Sequence, residues 1–175
     1  ALELTTPAVW VASRTSIFFF WFGYAALPFQ ASAAVPGVPV SAPPSASTLR
    51  IGLLGAGMIG ATHASAYAGL AGVKLTGVWD VDAARAQKLA AQHNARVFER
   101  REELLKAVDV ADVCLPTQYH LENVRAAAAA GKPVICEKPL GRTVAQCDEA
   151  IAACRAAKVP LLVGHVVRFF PEYTA

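Results

Sequence analysis

No C-x-x-C pair and no Cys/His spacing suited to zinc occurs among the four cysteines, Cys114, Cys136, Cys147 and Cys154, a pattern that argues against a metal site. Cys147 and Cys154 stand seven residues apart and share a helical face with Val144 and Ile151, so they read as small core residues. Cys114 and Cys136 fall inside apolar strand-like runs. Four reduced, buried thiols are expected. A dominant charge is also lacking: the net charge is +3 and the lysines and arginines are scattered, which leaves no patch for nucleic acid or an anionic membrane surface. The apolar run at residues 16–27, with Phe18, Phe19, Phe20, Trp21 and Phe22, is shorter than the ~20 residues that a bilayer span requires.

Charge disappears altogether between Arg14 and Arg50, and residues 1–48 are a different material from the rest. Arg14, the apolar run and Ala31-Ser32-Ala33 follow the order of a secretory signal with a small-residue cleavage site. The stretch holding Pro36, Pro39, Pro43 and Pro44 suits an extended, polyproline-like arm or linker. The same segment has no clear basic leading region and reads equally well as a leader without function. A cytoplasmic location is expected, with export as the alternative if the signal is genuine. The remainder is globular, because 55% hydrophobic against 17% charged residues excludes a disordered chain and supplies one adequate core.

What is present is a dinucleotide turn. Ile51-Gly52-Leu53-Leu54-Gly55-Ala56-Gly57-Met58-Ile59-Gly60 places a G-x-G-x-x-G directly after an apolar strand-like run and at the start of a helical one. Gly55 permits the tight turn, Gly57 lets the backbone approach a pyrophosphate, and Gly60 seats the helix against the strand. Met58 and Ile59 lie in the opening turn of that helix, whose unpaired N–H groups face the phosphates. Asp80 ends a second strand-like run, where an acid accepts from a ribose 2′-hydroxyl and repels a 2′-phosphate. NAD is therefore expected in preference to NADP. Arg85, Lys88 and Arg96 read as ordinary surface charge.

From Thr48 onward strand-like and helical segments alternate, which predicts an α/β fold, a Rossmann-type doubly wound parallel sheet. Strands are expected at 49–54, 74–79, 96–98, 111–115, 134–136 and 161–163, and helices at 58–70, 83–93, 101–106, 121–130 and 144–157. Gly131 is read as a helix C-cap and Thr143 to Gln146 as a capping box. Right-handed crossovers bring the glycine turn, Asp80 and the loops after Leu115 and Cys136 to one edge of the sheet.

Two groups at that edge can carry chemistry. Lys138, in Glu137-Lys138-Pro139 at the end of the fifth strand, sits over the cleft, where a buried or nucleotide-neighbouring lysine can exchange a proton with a substrate hydroxyl. It also reads as an exposed loop residue, and its bond to Pro139 is a candidate cis peptide. Pro116, Thr117 and His120 follow the fourth strand, where the nicotinamide half of a cofactor would extend. His120 either bonds a ribose or substrate or serves as a packing and capping residue. His63 is read as structural and His93 as solvated.

Gly55 to Gly60, Pro116 with His120, Ala130-Gly131-Lys132-Pro133-Val134-Ile135-Cys136-Glu137-Lys138-Pro139-Leu140, and Val163-Gly164-His165-Val166-Val167-Arg168-Phe169 occur in this order. In that order they resemble the Gfo/Idh/MocA superfamily (glucose-fructose oxidoreductase, inositol dehydrogenase and MocA) over residues 49–173. The resemblance implies a nicotinamide-dependent oxidoreductase acting on a sugar, cyclitol or related polyol, with Lys138 acting on the substrate hydroxyl and Glu137 beside the cofactor. It implies a nucleotide-binding domain at 49–165, the start of a substrate domain at 166–175 whose remainder this chain lacks, and a homo-oligomer in the full-length protein. The alternative is a non-catalytic dinucleotide-binding or interaction module, or a truncated product without turnover.

Overall fold

The computed structural model describes residues 48–169. The signal-like run and the proline-rich arm lie outside them. Eleven principal elements follow one another: β1 Leu49–Leu54, α1 Met58–Ala68, β2 Val73–Trp79, α2 Ala83–Gln92, β3 Arg96–Val97, α3 Arg101–Ala107, β4 Val110–Val113, α4 His120–Ala129, β5 Val134–Glu137, α5 Val144–Ala156 and β6 Leu161–Gly164. The strands form one sheet in the order β3-β2-β1-β4-β5-β6, every pair parallel. This is the doubly wound arrangement expected from the sequence, and its switch point falls between β1 and β4.

Two main apolar clusters pack against the sheet. Leu53, Leu75 and Val78 meet Ala64 of α1 and Ala86, Leu89 and Ala90 of α2. Leu54, Val113, Val134 and Cys136 meet Leu104 and Leu105 of α3, Val124 and Ala127 of α4 and Ala150 and Cys154 of α5. With both faces covered, the strands read as continuous apolar runs. Burying each large aliphatic side chain contributes roughly 1.5–3 kcal/mol.

The helix ends follow the sequence signals. Gly131, at φ +69°, closes α4 by donating to the Ala128 carbonyl at 2.8 Å. Thr143 Oγ1 accepts from Gln146 N at 3.2 Å, while Gln146 Oε1 reaches past the cap to accept from Arg142 N at 2.8 Å. Cys114, Cys136 and Cys154 are buried and unpaired, and Cys147 is partly buried. The helical face assigned to α5 needs one correction. Val144 is 77% exposed, because it opens α5 at the carboxyl edge of the sheet, where the apolar layer ends. Among the described residues, no helix is long and apolar enough to cross a membrane.

Candidate cofactor and catalytic site

The three glycines of the turn have three different surroundings. Gly55 has φ +107°, and a Cβ there would lie 2.7 Å from the Cys114 carbonyl oxygen. A Cβ at Gly60 would collide with the carbonyl oxygen of Gly55, so α1 packs against the turn only through glycine. At Gly57 a Cβ would meet nothing within 4 Å. Gly57 is also the N-cap of α1, with no side-chain cap and no acid in the first turn. The leading N–H groups of α1 therefore face an open space with the positive end of the helix dipole behind them, which suits a pyrophosphate. Met58 is 81% exposed at the rim and Ile59 is half-buried.

Asp80 anchors this turn. Its Oδ2 accepts from the Ala56 N–H at 2.7 Å and its Oδ1 from the Asp82 N–H at 2.8 Å. Arg85 is not plain surface charge: Nη2 lies 3.3 Å from Asp80 Oδ1 and Nε lies 3.1 Å from Asp82 Oδ2. Asp82 had drawn no notice in the sequence, yet it caps α2 by accepting from Ala84 N and Arg85 N at 3.0 and 3.2 Å. An aspartate just before a helical run was the available signal.

Beyond β4, Pro116 is exposed and Thr117 half-buried at the start of a short 3-10 turn, Thr117–Tyr119. Of the two roles open to His120, its surroundings match packing. The residue is 1% exposed, with Nδ1 2.8 Å from the Pro139 carbonyl oxygen and Nε2 2.7 Å from that of Leu115. Both ring nitrogens are thus committed to backbone, and His120 latches the loop after β4 to the loop after β5. Lys138 is exposed, and the Lys138–Pro139 peptide is cis. Lys138, Pro139, His165, Val166 and Val167 line a cleft of about 290 Å³. His165 gained attention in the sequence only as part of a motif, yet it shares this cleft with Lys138.

Glu137, which precedes Lys138, belongs to a polar cluster on the face that α1 covers. Its carboxylates are Asp112, fully buried in β4, and Glu137, 6% exposed at the end of β5. His63 of α1 lies between them, with Nδ1 2.8 Å from Asp112 Oδ2 and Nε2 3.3 Å from Glu137 Oε1. Tyr67, one helical turn on, donates its hydroxyl to Asp112 Oδ2 at 2.8 Å. Burial works against a charged His63 ring, but Asp112 and Glu137 more than offset it and push the ring up to about 10. Burial, reinforced by Asp112, raises the Tyr67 hydroxyl and the Cys114 thiol well above their ordinary ranges.

His63, Asp112 and Cys114 also bring one potential ligand atom each within 4.8 Å of one another. Those atoms are already engaged, Cys114 Sγ lying 3.3 Å from His63 Nδ1 and donating to Asp112 Oδ1 at 3.5 Å. His63 thus has a structural partner set, as its sequence position suggested, while Asp112 and Tyr67 escaped the sequence reading inside runs that read simply as strand and helix.

A parallel sheet with a glycine turn at its switch point, under an uncapped helix terminus, defines a dinucleotide-binding domain. The chain belongs to the Gfo/Idh/MocA oxidoreductase family, with an NAD-binding Rossmann fold, whose profile matches residues 49–165. It is similar to inositol 2-dehydrogenase of Rhizobium meliloti (strain 1021), at 34% identity over 131 residues, or 73% of this chain and 39% of that protein. Among solved structures it resembles UDP-N-acetylglucosamine 3-dehydrogenase GnnA of Acidithiobacillus ferrooxidans, with TM-score 0.68 and 32% identity over 71% of this chain and 41% of that one. GenD2 from gentamicin A biosynthesis, in complex with NAD, gives TM-score 0.69 and 28% identity over 72% of this chain and 37% of that one. The chain spans less than half the length of each of these relatives.

Proposed function

We propose that residues 49–165 are the cofactor half of an oxidoreductase that moves a hydride between NAD and a CH–OH group of a sugar, cyclitol or related polyol. Residues 166–175 begin a substrate domain, and the full-length protein is a homo-oligomer. The observation that carries this reading is the position of Lys138, exposed at the end of β5 and lining a cleft at the carboxyl edge of the parallel sheet, the same edge that carries the open glycine turn after β1. The nicotinamide ring, when bound, accepts or returns the hydride. Gly55, Gly57, Met58, Ile59 and Gly60 seat the pyrophosphate against the α1 terminus, and Asp80 faces the adenosine ribose. Pro116, Thr117 and Glu137 flank the nicotinamide end, and Lys138 takes the hydroxyl proton as the alcohol is oxidised. The names of the relatives, an inositol dehydrogenase and a dehydrogenase of a nucleotide-linked amino sugar, support a polyhydroxylated substrate.

Lys138→Met tests the assignment in the protein that turns over. Positioned proton transfer is worth about 10²- to 10⁴-fold in rate, so turnover should fall by that order while NADH affinity stays within a few-fold of the parent. Unchanged turnover would remove Lys138 from the reaction. Loss of NADH binding instead would make it a cofactor residue.

A further inference from the structure

The α1 face of the sheet carries two carboxylates where a doubly wound fold normally buries aliphatic side chains. Asp112 and Glu137 lie on adjacent parallel strands, with Asp112 in register with Ile135, two residues before Glu137. Two buried carboxylates on one layer are costly unless a cation or donors compensate them. Of the groups facing them, Tyr67 and Cys114 supply neutral donors, while Lys138 is exposed at the rim. His63 touches both acids and is the group able to carry the balancing charge at their centre.

One of those acids continues to the catalytic loop. Glu137 Oε1 faces His63 Nε2 at 3.3 Å, and Glu137 Oε2 accepts from the Lys138 N–H at 3.2 Å. The far side of the same carboxylate is shaped by β6, where a Cβ on Gly164 would stand 2.8 Å from Glu137 Oε1. The glycine thus leaves room for the carboxylate to turn inward toward His63. On the loop's other flank, His120 holds the Pro139 carbonyl. The peptide bearing Lys138 is gripped from both sides.

We propose that His63 is a positioning residue for Lys138: its imidazolium bridges Asp112 and Glu137, and through the Glu137 carboxylate it fixes the backbone that presents the Lys138 amine to the cleft. This rests on the reading of Lys138 as the proton-transfer group. The bridge acts through a formal charge, so a packing role and a positioning role give different signatures. A histidine that only fills space changes stability when replaced. A cationic bridge, when removed, leaves two buried carboxylates competing for one proton, and the loop attached to Glu137 becomes sensitive to pH.

The test uses the full chain labelled with nitrogen-15. In the parent, the His63 ring should carry protons on both nitrogens, and the Lys138 amide resonance should stay constant between about pH 6 and 8.5. In His63→Gln the Lys138 amide should titrate within that window and exchange with solvent about tenfold faster. The double variant His63→Gln/Glu137→Gln should lose that titration. Gly164→Ala leaves His63 in place but crowds Glu137, so it should also speed Lys138 amide exchange and keeps the proposal testable if the His63 variant does not fold. A parent His63 ring that is singly protonated at neutral pH would overturn the bridge. So would a His63→Gln variant whose Lys138 amide behaves as in the parent. These measurements need no turnover, and therefore stand apart from the Lys138→Met experiment. If Lys138→Met slows the reaction and His63→Gln leaves the Lys138 amide unmoved, the bridge fails alone. Unchanged turnover in Lys138→Met, beside a titrating amide, means the proposed function fails instead.

Discussion

The Ala56 N–H donates to the Asp80 carboxylate across 2.7 Å, joining the second residue of the glycine turn to the end of β2. The side chain expected to select the cofactor therefore also holds the loop proposed to receive its phosphates. The Asp80 side chain is 5% exposed and shares a cation, Arg85, with Asp82. Its charge is partly answered by a guanidinium that is itself half exposed.

That arrangement predicts tighter binding of NADH than of NADPH, because a 2′-phosphate would approach the Asp80 and Asp82 carboxylates before reaching Arg85. Asp80→Ser should weaken both ligands by loosening the turn, and should also shift the NADPH-to-NADH affinity ratio toward NADPH by about tenfold, as Arg85 loses one of its two acids. Fluorescence titration with both cofactors measures the ratio. A parent that prefers NADPH would reverse the assignment, with Arg85 the residue to blame.

Gly57 and Gly60 should separate binding from folding. Gly57 faces open space and Gly60 faces the Gly55 carbonyl. Gly57→Val should keep the parent's melting behaviour yet lose NADH affinity by at least about 100-fold, since the branched side chain fills the phosphate space. Gly60→Ala should cost roughly 1–3 kcal/mol of stability through overpacking, read by chemical denaturation. If Gly57→Val bound NADH as the parent does, the turn would not be the phosphate site.

The fold was legible because its signals are local. Apolar runs, a glycine turn, Gly131 and Thr143 each mark an element boundary within a few residues of where the structure places it. Groups whose role depends on what lies across the sheet were harder. Asp112 stands in an apolar run and shows nothing of its partners, which come from a helix 45 and 49 residues earlier in the chain. His120 left two roles open, since only the folded loops bring the Leu115 and Pro139 carbonyls to its two nitrogens. Arg85 misled for the same reason, its partners being decided by how β2 runs into α2.

Residues 1–48 should be removable without unfolding the remainder. The segment is almost uncharged and shows no amphipathic period, and the first strand is secured from within, Leu49 N donating to the Gly72 carbonyl at 2.8 Å. A chain beginning at Leu49 should melt within a few degrees of the parent. A much larger loss would mean that the segment packs on the domain.

Stability should decline on the alkaline side of neutrality, with His63 as the cause. Its ring is pushed from 6.5 in the unfolded chain up to about 10 in the fold, so the folded state holds that proton more tightly. The contribution is complete below pH 6.5 and is lost as pH rises through about 10. Tyr67, Cys114, Cys136 and Cys154 are raised too, but the unfolded chain begins to release the thiol protons only above about pH 7.5 and the phenol proton later, so the interval from pH 6.5 to that point belongs to His63. Each pH unit in that interval is worth at most about 1.4 kcal/mol per proton. Urea denaturation at several pH values across it should show unfolding free energy falling with pH. In His63→Gln the fall should move to lower pH, where a buried carboxylate, deprived of its cation, gives up the proton it took. A parent whose stability is level across the same interval would mean that His63 is neutral in the fold, and the ion bridge between Asp112 and Glu137 would have to be withdrawn.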